Sequence, residues 1–391
     1  MTDRTPYWIW LSQGVGYCSP KPKRINELYS DIKTLYDGGE SELRFCGIFT
    51  ESEISRLLKL SIASVNAIVA DCKILGYDIV DMSDSRYPQK LLEIENPPAV
   101  LYVQGDISLV NSNTCISVIG TRKATVYGIR TAFEISSSLS KQDFVIVSGG
   151  AIGIDCAAHR GVLQADGVTI CVLGCGIDYD YLRENKTMRE QIARKGAVIS
   201  EYPPKSAPSA RNFPQRNRII SALCEGLLVV EAPKASGTMI TVNCALSQNK
   251  DIFSVMGNID SPYSEGTNAL IKDGAIPVTS YKDILEYYRG VDSNEPYEHY
   301  SADVIDAVPT KLKIHKDTTA TENVPVATHK TDNVLSDDER KIYYILGLEP
   351  MHVDSIAEKS GLPVHKVTRI LSSLEMNDYV KNLGSRNYSI K

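Results

Sequence analysis

Residues 115–128 read CISVIGTRKATVYG, which is a short apolar run, a glycine turn and the start of a helical pattern. The same succession recurs around SGGAIGIDCAAHRG at residues 148–161 and continues as far as residue 278. The apolar runs are unbroken rather than alternating, as in strands of a parallel sheet that helices cover on both faces. The sequence therefore predicts a doubly wound, Rossmann-like α/β domain with a mostly parallel sheet.

Each repeat of this pattern contributes one strand, and several of the turns lead directly into helices. Helices are predicted near residues 127–139, 156–165 and 239–247. Strands are predicted at residues 115–119, 145–147, 169–173, 197–200, 227–230, 252–255 and 276–278. Since ligands of such sheets bind beyond the carboxyl ends of the strands, the turns that follow the strands are expected to share one binding rim.

A helical region precedes the α/β domain, which we place at residues 81–289. Residues 1–80 predict a helical, SAM-like domain, because apolar residues recur at helical spacing within 25–35, 51–60 and 62–75. A turn at Gly14–Gly16, followed by Pro20, fits either a helix-hairpin-helix-like unit that contacts a DNA backbone or a plain helical scaffold.

Two further segments follow the α/β domain. Residues 290–334 are predicted to be an acidic linker, since residues 290–340 hold eleven acidic against five basic side chains. Residues 335–391 predict three helices and a short hairpin around Gly384-Ser385, which together describe a winged helix-turn-helix.

The composition narrows the class of protein. The 391 residues carry a net charge of −6, with 43% hydrophobic and 23% charged residues, which is ordinary for a soluble globular protein. No apolar run is long enough for a membrane helix, and the N-terminus does not resemble a secretory signal. The nine cysteines form no CxxC pair. We therefore expect reduced thiols in the cytoplasm, without a disulfide framework or a metal site.

The acidic total conceals a basic segment. Between Arg183 and Arg218 there are nine basic residues against three acidic ones, a net charge of +6. A concentrated basic patch is the electrostatic signature of a phosphate-rich partner. The segment predicts an anion-binding surface near the rim of the sheet.

Two glycine turns on the predicted rim have the residues that an anion site needs. In the turn Gly120–Arg122, the glycine allows close approach of the backbone and Arg122 offers a bidentate donor fork. In SGGAIGID, the glycines free successive N–H groups at a helix start, and Ser148 adds a hydroxyl donor. Asp155 is expected to cap that helix and to orient His159.

The stretch NFPQRNRIIS at residues 212–221 adds a second group of candidates. Arg216 and Arg218 are two residues apart, so one can reach a phosphate while the other pairs with a carboxylate inside the fold. Asn217 could bind a base edge or cap the helix, and Phe213 could stack on an unpaired base or pack in the core. Lys205 and Arg211 lie in a Pro- and Ser-rich loop and are expected to act as flexible charges.

The motifs of common nucleotide enzymes are missing from the sequence. There is no GxxxxGK[ST] for ATP hydrolysis, no convincing GxGxxG, and no credible pair of nucleophile and base. We therefore expect a protein that holds phosphates without a cofactor and without breaking bonds.

Taken in order, these motifs resemble the DprA (Smf) family of bacterial DNA-processing proteins. The resemblance runs from SDSRYPQKLLEIENPPAVLYVQGD at Ser83–Asp106, through the segments quoted above, to SEGTNALIKDGA at Ser264–Ala275. It implies a homodimer that binds single-stranded DNA, protects it from nucleases and loads the RecA recombinase during natural transformation.

The resemblance also implies the positions of the site. The family's phosphate pocket corresponds to Gly120, Thr121, Arg122, Ser148, Gly149, Gly150, Gly153, Arg216, Asn217 and Arg218. Phe213 matches an aromatic position that stacks on a base in some members. To these we add Lys205, Arg211 and, in the turn EAPKASGT, Gly237. The chain departs from the family at Asn249-Lys250, where Gly-Arg is usual, and at Met256-Gly257, where Pro-Gly is usual.

Two alternative functions remain open at this point. One is a nucleotide hydrolase of the lysine-decarboxylase-like group, although its GGxGTxxE motif is here ASGTMIT, without the catalytic acid. The other is a transcriptional role for the winged helix, in which His365, Lys366 and Arg369 share one helix face. That module has seven bases and five acids from residue 341 to 391. Duplex DNA binding and protein contact are therefore both open for it.

Overall fold

The computed structural model describes residues 3–290, 338–339, 342, 345–346, 351–376, 380–382 and 387–390. These residues belong to two separate units, one within residues 3–290 and one from residue 338 onward. Each unit has a hydrophobic core of its own. None of the helices in these ranges is long and apolar enough to cross a lipid bilayer. The predicted acidic linker lies outside the described residues.

The N-terminal part of the first unit is helical, as predicted. The helices are α1 Thr5–Val15, α2 Lys21–Leu28, α3 Ile32–Asp37, α4 Gly39–Phe45, α5 Glu51–Lys59 and α6 Ile62–Leu75. The periodicity that suggested one helix over residues 25–35 spans two, because Tyr29 is extended and the Asp31 side chain caps α3. The expected turn at Gly14–Gly16 is instead the end of α1, which Gly16 terminates with a φ of 85°.

These helices share their core with the sheet that follows. Trp8, Ile9 and Leu11 of α1 are buried in the same cluster as the strands. The Thr5 hydroxyl donates to the Asp81 carboxylate, and Trp10 Nε1 donates to the Leu57 carbonyl at 2.9 Å. Burial of these large apolar side chains against the sheet joins the helical segment and the α/β segment into one compact unit.

Within residues 3–290 the strands form a nine-stranded sheet in the order β1-β2-β6-β5-β4-β3-β7-β8-β9. All seven predicted strands are present and run parallel. β1 and β2 were not predicted, and they extend the sheet beyond β6 in antiparallel register. The strands are β1 Asp78–Asp81, β2 Val100–Gly105, β3 Cys115–Ile119, β4 Val145–Ser148, β5 Thr169–Leu173, β6 Ala197–Ser200, β7 Gly226–Val229, β8 Asp251–Val255 and β9 Ile276–Val278.

Helices connect these strands and cover the sheet. They are α7 Gln89–Glu93, α8 Leu109–Ser112, α9 Val126–Ser140, α10 Ile154–Gln164, α11 Lys186–Lys195, α12 Asn212–Ala222, α13 Gly237–Ser247, α14 Glu265–Lys272 and α15 Tyr281–Arg289, with a 3₁₀ turn at Arg183–Asn185. α9, α10 and α11 pack side by side, and α12 packs against α13. Since crossovers between parallel strands are right-handed, these two groups cover opposite faces of the sheet.

The strand order reverses at β3. The chain proceeds from β3 through β4 and β5 to β6 on one side, and then returns to place β7 against the other side of β3. A crevice opens between the carboxyl ends of two strands whose connections diverge in this way, and ligands of open α/β sheets bind there. The turns after β3 and β7 therefore mark the expected binding crevice.

The loop beyond α13 accommodates the unusual Asn249. Its φ is +54°, a left-handed conformation that glycine and asparagine adopt most readily. The Lys250 N–H donates to the Ala245 carbonyl at 2.9 Å and closes the helix end. At Met256-Gly257, where the chain also departs from the usual family sequence, the Met256 carbonyl accepts a hydrogen bond from the Tyr127 hydroxyl at 2.9 Å. Asparagine thus replaces the usual glycine without loss of the helix termination.

The second unit has the elements of a winged helix. It contains β10 Met351–His352, α16 Val353–Ser360, α17 Val364–Met376, β11 Val380–Asn382 and β12 Asn387–Ile390, and its sheet has the order β10-β12-β11. Val367, Leu371 and Leu374 of α17 are buried in its core. The first of the three predicted helices, over residues 336–346, lies mostly outside the described residues.

Candidate functional site

A cavity of about 410 Å³ occupies the crevice between β3 and β7. The GTR turn forms one wall, and α12 and the start of α13 form the others. Its lining residues are Ile119, Gly120, Thr121, Arg122, Ala151, Asp155, Phe213, Pro214, Arg216, Asn217, Ile220, Ser236, Gly237, Thr238, Ile240 and Thr241. We call it the Arg122 cavity. It brings together predicted residues from three separate motifs.

Glu231, at the end of β7, holds the GTR turn in place. Its backbone carbonyl accepts a hydrogen bond from the Thr121 N–H at 2.8 Å. Its carboxylate accepts from both the N–H and the hydroxyl of Thr125, the N-cap residue of α9. Glu231 is buried, whereas Arg122 is exposed. The turn is therefore anchored from inside, with its arginine free to meet a ligand.

Gly153 supports the same turn from below. Its φ is +82°, and a Cβ at this position would lie 2.5 Å from the Thr121 carbonyl oxygen. The Ile154 N–H donates to that oxygen at 3.3 Å. A side chain at residue 153 would have to push the GTR turn outward, because the contact is with backbone atoms.

Phe213, in the lining of the cavity, contacts both Arg122 and Tyr181. The Arg122 guanidinium carbon is 5.5 Å from the centre of the Phe213 ring, within range of a cation–π contact. The Phe213 and Tyr181 rings are 5.4 Å apart with an interplanar angle of 42°. Phe213 is half-buried. The ring is held between two neighbours while it still borders the cavity.

The glycine turn SGGAIGID does not offer the anion nest that its sequence predicts. The N–H groups of Ala151 and Gly149 donate to the Asp155 carboxylate of the same turn. Gly149 and Gly150 are buried, and they are not in the lining of the cavity. Burial raises the pKa of Asp155. The nest therefore already contains the protein's own acidic group.

Three expectations for individual residues of this turn are wrong. The Ser148 hydroxyl is fully buried and donates to the Val118 carbonyl at 2.6 Å, so it does not serve as a ligand donor. Asp155 does not cap α10, whose N-cap residue Gly153 has no side-chain partner. His159 is oriented by Thr169, whose hydroxyl lies 2.8 Å from its Nδ1. Burial, with a smaller contribution from Arg216, lowers the pKa of His159 to about 3.

Arg216 forms the floor of the cavity rather than an open phosphate ligand. Its Nη1 donates to the carbonyl of Gly149 at 2.8 Å and to the carbonyl of Val172. The side chain is 5% exposed, and burial lowers its pKa. Its Nε has no hydrogen-bond partner in the part of the chain that the structure describes. Arg216 contributes positive charge from beneath, while its Nη1 links the turn after β4 to strand β5.

Arg218 is the arginine of this motif that pairs with a carboxylate inside the fold, as the sequence analysis expected for one of the two. Its Nη2 donates to the Glu201 carboxylate at 2.7 Å, and both side chains are buried. Arg218 does not line the Arg122 cavity, whereas Asn217 does. The two arginines of the motif are thus both committed to the fold, and Asn217 is the polar side chain between them that borders the ligand space.

The basic segment Arg183–Arg218 does not form one patch. Lys205 is exposed and pairs with Asp71 at 2.7 Å, and Arg211 is exposed outside the cavity lining. Others pair with acids at different places, as Arg183 does with Asp180 and Lys195 does with Asp166. The window's net charge therefore overstates the positive charge at the rim.

The start of α13 supplies donors that the sequence analysis mostly missed. Its N-cap residue Ser236 makes no side-chain cap, and Ser236 Oγ has no hydrogen-bond partner among the described residues. Gly237 is exposed and opens the helix, and a Cβ there would meet nothing within 4 Å. Helix N-termini attract anions through free N–H groups and the helix dipole. Thr241, one turn further along α13, also lines the cavity. Because it follows Gly237 by four residues, it lies on the same helix face, and this spacing could have predicted it from the sequence.

These features together suit an anion with an attached flat ring. Arg122 and the α13 N-terminus present donors, Arg216 adds charge below, and Phe213 adds an aromatic surface. In the described ranges, no three His, Cys, Asp or Glu side chains come together in a way that could hold a metal ion. The cavity thus offers hydrogen-bond donors suited to a phosphate and an aromatic surface suited to a base.

On the winged helix, the predicted basic face is only partly free. His365 and Arg369 are exposed on α17. Lys366 is half-buried and pairs with Asp338 at 2.6 Å. Two of the three candidate residues therefore remain open to a partner on this helix.

Comparisons with known families match both units. Residues 78–289 match the family described as DNA recombination-mediator protein A, and residues 326–385 match the DprA winged helix domain. The chain is 38% identical over 224 residues to DNA processing protein DprA of Bacillus subtilis, covering 57% of this chain and 75% of that protein. It is 32% identical over 332 residues to protein Smf of Escherichia coli, covering 85% of this chain and 82% of that protein.

Two solved structures are similar to this one. DNA processing protein A from Streptococcus pneumoniae has 30% sequence identity and a TM-score of 0.62, covering 73% of this chain and 98% of that one. DNA processing protein A from Helicobacter pylori, described for its single-stranded DNA binding mode, has 29% identity and a TM-score of 0.50. That match covers 54% of this chain and 94% of the other.

Proposed function

The chain belongs to the DNA recombination-mediator protein A family, which includes DprA and Smf, and we propose that it binds single-stranded DNA at the Arg122 cavity. The observation that carries this proposal is the exposed Arg122, held beside Phe213 at the switch point of the sheet. A bidentate cation and an aromatic ring at one cavity mouth fit the two parts of a nucleotide.

In this proposal the phosphate lies between Arg122 and the start of α13. The Arg122 fork donates from one side, and the free N–H groups around Gly237 with the Ser236 hydroxyl donate from the other. Arg216, which is 5% exposed, strengthens the positive potential from the floor of the cavity. Because these donors recognise the backbone, their contacts do not distinguish one base from another.

The base of the same nucleotide stacks on Phe213. The ring borders the cavity and is held from behind by Tyr181. Stacking of a base on an aromatic side chain tolerates every base, because each has a flat π-face. An unpaired strand can present a base in this way, whereas a duplex keeps its bases stacked on one another.

We further propose that the bound strand is protected from nucleases and passed to the RecA recombinase by a cytoplasmic homodimer. This extension is supported by the family membership and by the names of the relatives, which describe DNA processing and recombination mediation. Natural transformation is the process that the resemblance implies.

We propose that the site binds without catalysis. In the hydrolase alternative, a carboxylate beside the turn Ser236–Thr238 would act as the acid or base. Asp155 is the acidic residue of the cavity lining, but its buried carboxylate accepts hydrogen bonds from the N–H groups of Ala151 and Gly149. Glu231, beyond the end of β7, is buried and engaged by Thr125. An assay for ribose phosphate release from nucleoside monophosphates tests this directly, since clear turnover would replace binding with hydrolysis.

Fluorescence anisotropy with the full chain tests the binding proposal. A labelled single-stranded oligonucleotide should bind with an affinity that falls steeply as salt increases, and a duplex of the same sequence should bind more weakly. A folded protein that binds neither, or that binds only the duplex, would overturn the proposal.

A further inference from the structure

A second cavity, of about 720 Å³, lies next to the Arg122 cavity and shares Pro214 with it. It is bounded by the turn after α1, the loop after α7 and the carboxyl end of α13. The lining residues are Cys18, Glu93, Ile94, Glu95, Asn96, Pro214, Gln215, Arg218, Cys244, Ser247, Gln248, Asn249 and Lys250. We call it the Gln248 cavity.

Side-chain amides are the common feature of this lining. Asn96, Gln215, Gln248 and Asn249 all border the space. Gln248 Nε2 donates to the Arg218 carbonyl at 3.1 Å, which fixes the orientation of the amide. Gln248 Oε1 is then left buried and without a hydrogen-bond partner among the described residues. An orphaned amide acceptor favours a ligand that can donate a hydrogen bond.

The charges of the Gln248 cavity argue against a second phosphate. Arg218 is neutralised by its buried pair with Glu201 at 2.7 Å. Lys250 is then the remaining cation of the lining, which also contains the two acidic residues Glu93 and Glu95. A phosphate would meet more negative than positive charge, whereas a neutral ring with polar edges would not. Amide side chains are the groups that commonly bind base edges in this way.

We propose that the Gln248 cavity holds a nucleobase of the same strand whose phosphate binds beside Arg122. This inference rests on the proposed function. The shared Pro214 makes the two cavities neighbours, so a strand can leave the Arg122 cavity past Pro214 and turn an adjacent base into the second space. Gln248 Oε1 accepts from an exocyclic amine of that base, as cytosine and adenine provide and thymine does not.

Two cysteines make this proposal testable in the unaltered protein. Cys18 and Cys244 are partly exposed and line the Gln248 cavity but not the Arg122 cavity. Cys46 is also partly exposed, lies at the end of α4 and lines neither cavity. Alkylation of each thiol can be followed by mass spectrometry while an oligonucleotide is bound, with Cys46 as the internal control.

A single-stranded oligo-dC should slow alkylation of Cys18 and Cys244 and leave Cys46 unchanged. The control ligand is an abasic oligonucleotide of equal length. Its concentration is chosen by competition anisotropy so that it occupies the same fraction of the protein as oligo-dC does. It has the phosphates without the bases, so it should not protect the two cysteines. Equal protection by both strands, or protection by neither while both bind, would overturn the inference and leave the Arg122 site standing. Failure of oligo-dC to bind to the folded protein would overturn the proposed function as well.

A substitution of Gln248 gives a second and independent measurement. The full chain should bind oligo-dC about two- to tenfold more tightly than oligo-dT, as expected for one additional hydrogen bond. Gln248→Leu keeps a side chain of similar size and should abolish this preference without abolishing binding. Gln164→Leu, in an exposed position at the end of α10, is the matched control and should keep it. An unchanged preference in folded Gln248→Leu would contradict the inference.

Discussion

The Arg122 guanidinium lies 5.5 Å from the centre of the Phe213 ring, although the two residues come from different motifs on different sides of the crevice. The GTR turn carries the arginine after β3, and α12 carries the ring near its first turn. Their contact prepares a cation and an aromatic surface before any ligand arrives. Preorganisation of this kind reduces the entropy lost on binding.

Arg122→Ala should weaken binding of single-stranded DNA roughly tenfold to a hundredfold, because a charge-assisted contact to a phosphate is lost. The slope of log affinity against log salt should also fall by about 0.7, the value for one phosphate contact on a single strand. Anisotropy titrations at several salt concentrations measure both quantities.

Lys205→Ala is the matched control for Arg122. Lys205 is exposed like Arg122, but it pairs with Asp71 and lies outside the cavity lining. Its replacement should change affinity much less. Normal binding by Arg122→Ala together with weak binding by Lys205→Ala would place the site elsewhere.

Phe213→Leu should weaken single-strand binding by about 1–3 kcal/mol, the contribution of stacking one base on an aromatic ring. Leucine keeps most of the apolar volume of this half-buried side chain, so the melting temperature should change little. Phe213→Tyr, which retains the ring, should bind nearly normally. A parallel loss of binding and melting temperature in the leucine variant would show that Phe213 acts through packing.

Ser148→Ala should lower stability by about 0.5–1.5 kcal/mol and leave DNA affinity unchanged. Its hydroxyl is buried and donates to the Val118 carbonyl between two central strands, away from the cavity. Urea denaturation measures the first effect and anisotropy the second. Weaker DNA binding at unchanged stability would restore Ser148 as a ligand donor.

His159 should make the protein less stable as the pH falls below about 6.5. Thr169 donates its own proton to the Ile146 carbonyl, so His159 Nδ1 is the donor in their contact and Nε2 is left without a partner. The pKa of His159 is lowered from 6.5 to about 3 by burial. Below pH 6.5 the histidine of the unfolded chain binds a proton that the buried histidine of the folded chain does not bind. The free energy of unfolding therefore falls as the pH is lowered from about 6.5 to about 3.

Between pH 7.5 and 5.5 this histidine should cost about 1.4 kcal/mol of stability. The quantity to compare is the change in unfolding free energy over that range in the wild type and in His159→Gln, since other groups titrate equally in both. The wild type should lose more stability than the variant. Equal losses would mean that His159 is not the group responsible.

Deletion of residues 335–391 should leave single-strand binding largely intact and reduce any duplex binding. The Arg122 cavity is built entirely from the first unit, and the second unit has a separate core. The exposed His365 and Arg369 are the residues of α17 available to a duplex. Loss of single-strand binding by a truncated protein that remains folded would contradict the assignment of the site.

Much of the sheet could be predicted from the sequence because its signals are local. Each parallel strand is an apolar run, and a turn glycine directly follows several of them, so Cys115–Ile119 and Thr169–Leu173 were placed at their observed bounds. β1 and β2 escaped prediction because their role depends on pairing. β2 joins β6, which comes much later in the chain, and apolar periodicity carries no information about such a partner.

The sequence by itself determined the positions of the seven parallel strands along the chain, the turns that follow them and the family of the chain, since these depend on short-range patterns and motif order. Only the tertiary structure decided which of three arginines is free. Arg216 is held by the carbonyls of Gly149 and Val172, Arg218 is held by Glu201, and Arg122 alone of the three is exposed. The physical reason is that a buried charge requires partners, and those partners come from distant segments that the fold brings together.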